Sequence, residues 1–106
     1  MIQRAVDDAI SGKEPTTVLQ KLQGWAAHEC VAAAVYVFTR HPDDPKSALL
    51  EAANTPGDSD SIATLVGALV GARCGIEKIP ENWVGNVEHS SELMELAEEL
   101  SKLEEL

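Results

Sequence analysis

The stretch WAAHECVAAAVYVFT, Trp25 to Thr39, decides the fold. Its only formal charge is Glu29, with His28 beside it, so a helix formed here is apolar on most of its circumference. Such a helix belongs at the centre of a domain. Val31, Val35 and Val37 would suit a strand, but the length of the run and the alanines at 26, 27, 32 and 33 favour helix. Upstream, Ile2 to Ile10 reads as a short helix ended by Ser11-Gly12-Lys13. Pro15 to Leu22 reads as a second, with proline in its first turn, and Gly24 breaks the pattern before Trp25. Downstream, His41-Pro42-Asp43-Asp44-Pro45 is a connector. Asp44 is placed to cap the next helix and Pro45 to open it. That helix is expected to reach Asn54, with Ala48, Leu49, Ala52 and Ala53 inward.

After the loop Thr55-Pro56-Gly57, a long helix is expected from Ser61 to Arg73. Gly67 and Gly71 share one of its faces, and Gly75 ends it. Each glycine inside a helix costs about 1 kcal/mol, so the pair suggests another backbone in close approach. Ile79-Pro80-Glu81-Asn82-Trp83 reads as a short helical turn. Ser90 or Ser91 is expected to cap a last helix to Leu106, with Leu93, Leu96, Leu100 and Leu103 as one apolar stripe. These elements make residues 1–106 a single all-α domain, a helical bundle or orthogonal helical array, with at least five helices and no sheet of consequence.

Composition narrows the function. The chain has 106 residues, 44% of them hydrophobic, and a net charge of −10. A surface this acidic repels nucleic acid and anionic membranes, so neither is expected as a partner. No apolar run is long enough to span a bilayer. Two cysteines, Cys30 and Cys74, permit one disulfide. Met1 to Ile10 carries Arg4, Asp7 and Asp8 and has no apolar leader segment, so the expectation is a cytoplasmic protein with reduced, largely buried thiols.

The residues with chemical potential are Gly57-Asp58-Ser59-Asp60-Ser61. Alternate side chains of an extended turn point the same way, so Asp58 and Asp60 can converge on one cation, with the Ser61 hydroxyl as a third oxygen. All-oxygen ligation suits Mg²⁺, Ca²⁺ or Mn²⁺. The same residues also make an ordinary turn and helix start, since Asp and Ser are standard caps. The loop lacks the spacing of an EF-hand. No phosphate-binding glycine loop precedes a helix, and His28, His41 and His89 are not paired at metal-ligand spacing.

Taken in order, the segments say more than any one of them. Gly24-Trp25-Ala26-Ala27-His28-Glu29 leads into Ala33-Ala34-Val35-Tyr36-Val37-Phe38. His41-Pro42-Asp43-Asp44, Ala48-Leu49-Leu50 and Ala52-Ala53-Asn54 follow. Then come Gly57-Asp58-Ser59-Asp60-Ser61-Ile62-Ala63, Gly67-Ala68-Leu69-Val70-Gly71-Ala72 and Ile79-Pro80-Glu81-Asn82-Trp83. From about residue 22 to residue 103 this resembles the C-terminal part of the ADP-ribosylglycohydrolase family, which includes the dinitrogenase reductase activating glycohydrolases. The Gly-Asp-Ser-Asp-Ser block is similar to the family's Gly-Asp-Thr-Asp-Thr. The resemblance implies an all-α fold, a binuclear Mg²⁺ or Mn²⁺ site, and hydrolysis of the bond joining ADP-ribose to a protein side chain or small acceptor. It implies Asp58, Asp60 and Ser61 as metal ligands. Glu29 stands at a position often acidic in the family, with no definite role carried onto it.

Two departures stand out. Pro56 replaces a glycine or other small residue. The family's N-terminal Ser/Thr motif with consecutive aspartates has no counterpart, because Asp7-Asp8 follows Ala5-Val6. The chain therefore reads as the C-terminal half of a binding site. Three readings follow: a segment of a glycohydrolase, inactive alone; a non-catalytic binding or structural module derived from that family; or an unassigned helical interaction domain. For the first, an ADP-ribosylated protein or a small ADP-ribose conjugate is the expected substrate once an N-terminal half completes the site. Apolar surface left uncovered by that half is expected to make the chain self-associate.

Overall fold

The computed structural model describes residues 1–103 and contains, among them, seven α-helices and no strand. They are α1 (Ile2–Ile10), α2 (Pro15–Lys21), α3 (Ala27–Arg40), α4 (Pro45–Ala53), α5 (Ser59–Cys74), α6 (Glu81–Asn86) and α7 (Ser90–Ser101), with a 3-10 turn at Ile76–Lys78 between α5 and α6. This is the all-α architecture expected from the sequence.

Helix α3 is the hub, packing against α1, α4 and α5, while α4 also lies along α5. Cys30, Ala32, Ala33, Ala34, Tyr36 and Val37 are all buried on it. Four of these are alanine or cysteine, so neighbouring helices can approach closely, and Tyr36 and Val37 supply the volume. The Tyr36 hydroxyl donates to the Lys13 carbonyl at 2.6 Å, tying the loop after α1 to the hub. Burial raises the pKa of that phenol, against the opposing pull of Arg40.

Helix α4 starts as its sequence dictates. The Asp44 carboxylate accepts from the Ser47 backbone N–H at 3.2 Å and from the Ser47 hydroxyl at 2.6 Å, and Pro45 is the first helical residue. Ala48 and Ala52 face inward and Leu49 is half-buried, whereas Ala53 is exposed. At the other end of α3, Glu51 binds the Arg40 guanidinium at 3.2 Å and His41 Nε2 at 2.9 Å, fixing the α3–α4 corner.

Two expectations about the helices fail. The inward residues of α5 are Ile62, Val66 and Val70, and Gly67 and Gly71 each lie one position later, about 100° around the helix. A Cβ on Gly67 would meet only Leu49 Cδ2 at an ordinary 3.5 Å, and one on Gly71 would meet nothing within 4 Å. No backbone approaches them. Gly71→Ala is therefore expected to stabilise the chain by about 0.5–1 kcal/mol, read as a raised urea midpoint at unchanged slope. At the start of α7, His89 takes the cap position in a left-handed conformation (φ 59°), with no side-chain cap bond. Ser90 is not the cap. Its hydroxyl donates to the Val84 carbonyl at 2.7 Å and holds α7 to α6. Helix α7 ends at Ser101, and residues 104–106, expected to continue it, lie outside the described residues.

No residue of α7 is buried, and Leu93, Leu96, Leu100 and Leu103 are each more than half exposed. No helix among the described residues is long and apolar enough to cross a membrane. Cys30 and Cys74 are both free; Cys30 is buried and Cys74 half-buried.

Candidate functional site

The Asp58 loop is built by two chain segments pressed together. The Asp58 backbone N–H donates to the Gln23 carbonyl at 2.7 Å. A Cβ on Gly57 would lie 2.0 Å from that same carbonyl oxygen, so only glycine fits there. Across the junction, Gly24 adopts φ +87°, and a Cβ on it would meet the Ile62 side chain at 2.9 Å and Asp58 Cβ at 3.6 Å. Gln23 and Gly24 thus form a clamp that fixes where α5 begins. Sequence reading had Gly24 only as a helix breaker and gave Gln23 no role. The positive φ is a property that a lone glycine can signal; the partner loop is not.

Helix α5 begins at Ser59, two residues earlier than its sequence suggested. Asp58 is the cap position, and Asp60 and Ser61 lie in the first turn. The side chains do not alternate along an extended turn, because Asp60 is already helical. Asp58 makes no capping bond through its side chain. The neighbouring Asp58 side chain, and then the Ser61 backbone N–H donating to Asp60 Oδ1 at 3.0 Å, hold the Asp60 carboxyl below the usual carboxylate range. Ser61 is exposed beside the pair.

Neither aspartate forms an ion pair with Lys, Arg or His among the described residues. The Asp58 charge reaches the core side of the loop as well. The Cys30 thiol is pushed up, chiefly by burial and then by Asp58. Among the described residues no group of three or more His, Cys, Asp or Glu side chains is arranged to hold a metal ion. The donor set here is two carboxylates with a neighbouring hydroxyl. It fits part of the oxygen shell of a hard divalent cation and cannot fill it.

Two further residues of the loop are defined. Glu29 Oε1 accepts from the Ala26 backbone N–H at 3.2 Å, which closes the first turn of α3. That gives the acidic residue at 29 a helix-start role. Trp25 is 70% exposed, with its indole N–H donating to Gln23 Oε1 at 3.2 Å.

Comparison with known proteins decides the family. The ADP-ribosylglycohydrolase profile matches residues 1–106. The chain belongs to the ADP-ribosylglycohydrolase family. It is 35% identical to ADP-ribosylhydrolase ARH3 of Mus musculus over 91% of this chain and 28% of that protein. It is 34% identical to the ARH3 of Homo sapiens over 76% of this chain and 25% of the relative. It is also 43% identical to ADP-ribosylarginine hydrolase Tri1 of Pseudomonas putida, over 50% of this chain and 14% of the relative. The chain thus spans little more than a quarter of the length of the mouse relative, as an ADP-ribosylglycohydrolase segment. No solved structure gives a significant match.

Proposed function

We propose that Asp58, Asp60 and Ser61 hold a Mg²⁺ or Mn²⁺ ion in a hydrolase that cleaves the bond between ADP-ribose and a protein side chain or small acceptor. The observation that supports this is the Asp58–Asp60 pair. Asp58 makes no capping bond through its side chain, neither aspartate has a cationic partner among the described residues, and the loop they start from is held by Gly24 and Gly57. When bound, such an ion would orient ribose hydroxyls and make a water a better nucleophile. The chain's own residues supply the donors and their geometry. The Asp60 carboxyl is held below the usual carboxylate range, and the Gln23 carbonyl fixes the Asp58 backbone at the start of α5. The names of the relatives share ADP-ribose as the chemical group acted on, which supports an ADP-ribosylated protein or small ADP-ribose conjugate as substrate. We place the protein in the cytoplasm, consistent with two free cysteines.

Three protein oxygens leave an octahedral shell unfilled. The chain alone is therefore expected to bind metal weakly and to show little or no hydrolysis. Calorimetric titration with Mn²⁺ tests the site. The parent chain and Asp44→Ala, which removes the cap of α4 away from the loop, should bind alike, and Asp58→Ala and Asp60→Ala should not bind. Equal binding by all four proteins would mean that the aspartates only start a helix.

A further inference from the structure

Two exposed surfaces among the described residues complement each other. The first is the exposed face of α7. Leu93, Leu96, Leu100 and, just past the helix end, Leu103 follow the spacing of a coiled-coil seam, each more than half exposed. The charges that flank the seam are of one sign, Glu92 and Glu99, with Glu95 farther round the helix. An apolar seam of this kind is normally covered. Pairing with a second α7 would bring glutamates against glutamates, which opposes a symmetric helix dimer.

The second surface is a cleft of about 430 Å³ between α1 and α2. Buried Ala5 and Val18 and half-buried Leu22 make its floor, and Arg4, Lys13 and Lys21 stand around it. These are three of the eight cations in a chain of net charge −10. Lys13 pairs loosely with Asp8 at 4.0 Å, while Arg4 and Lys21 have no carboxylate partner among the described residues. Met1 carries the apolar surface on to Ile2 and Val31, both at least partly open to solvent. An apolar floor with a cationic rim suits an apolar seam with an anionic rim.

No α7 residue lines this cleft, so its occupant is not the same molecule's helix. We propose that α7 of one copy docks by its leucine seam into the α1–α2 cleft of a second copy. The contact is head-to-tail rather than two-fold symmetric. It therefore builds a ring or a growing chain of copies, according to whether the rotation closes.

The test uses the full chain and sedimentation velocity. The parent should associate with rising concentration, less so in 0.5 M than in 0.05 M NaCl. Leu96→Glu/Leu100→Glu destroys the seam, and Arg4→Glu/Lys21→Glu reverses the cleft. Each variant alone should have its self-association weakened at least about ten-fold, with helical circular dichroism like the parent's. Mixed together, the two should form a complex that stops at one copy of each, because the first keeps a working cleft and the second a working helix. Self-association by the cleft variant alone would overturn the proposal in favour of α7–α7 pairing. A parent that stays monomeric at all concentrations, or a mixture that forms no complex, would also overturn it.

Discussion

Gly57→Ala is expected to lower the thermal midpoint by about 12 °C or more. The added Cβ would sit 2.0 Å from the Gln23 carbonyl oxygen, 2.5 Å from Gln23 Cβ and 2.6 Å from its carbonyl carbon. All three are well inside van der Waals contact, and two of the atoms are backbone, which cannot swing away as a flexible side chain could. Relief requires the loop to lift off Gln23, which also breaks the 2.7 Å bond from the Asp58 N–H. Overpacking of this severity costs about 3 kcal/mol or more. For a chain of this size each kcal/mol moves the midpoint by about 4–8 °C. The sign contrasts with Gly71→Ala, where the same substitution meets open space. Thermal circular dichroism on both variants is the measurement. A Gly57→Ala midpoint within 2 °C of the parent would show that the clamp is not a tight contact. Because the clamp also sets where Asp58 stands, Mn²⁺ binding should fall in this variant although every proposed donor remains.

The contrast between these glycines shows what was legible in the sequence. The spacing of Gly67 and Gly71 correctly placed them on one face of one helix. It did not say which face turns inward. That is decided by volume, because Ile62, Val66 and Val70 fill the core and leave the glycines to the side. The α3 hub was legible because a long run almost free of charge has few places to go. The Asp58–Asp60 pair was legible as a motif, but its place at the helix start was not. The sequence suggested alternation in an extended turn, whereas Asp60 lies inside the helix. The clamp that holds the pair comes from Gln23 and Gly24, on another connection between helices. A contact between two loops leaves no periodic trace in either one, so only the three-dimensional structure reveals it.

The two ends of the α6–α7 region follow the same logic. The leucine stripe of α7 was readable from its spacing, and its exposure was not. Ser90 was readable as a helix-start residue, but a hydroxyl has a choice of acceptors. Here it takes the Val84 carbonyl and leaves the cap position to His89. Local rules identify which residues stand near a helix end and leave tertiary packing to choose among their partners.

Ile62→Ala should cost about 2–5 kcal/mol, the second largest effect expected for a single substitution here. Ile62 is fully buried in the first turn of α5. It lies where Gly24 crosses, with room between them for no added carbon. Removing its outer atoms leaves a cavity beneath the clamp, and the cost depends on how far the surroundings collapse into it. They can collapse little, since α3 beside it is already packed through alanines. Ile62→Val, which keeps the branch at Cβ, should cost only about 1 kcal/mol. Urea titration of the pair measures the difference. The site should respond in the same order: Ile62→Ala should weaken Mn²⁺ binding more than Ile62→Val does, with Asp58, Asp60 and Ser61 all intact. Equal stability of the two variants would mean that Ile62 does not support the clamp. Loss of stability with unchanged metal binding would mean that the aspartates are positioned by the α5 backbone alone, without help from the crossing at Gly24.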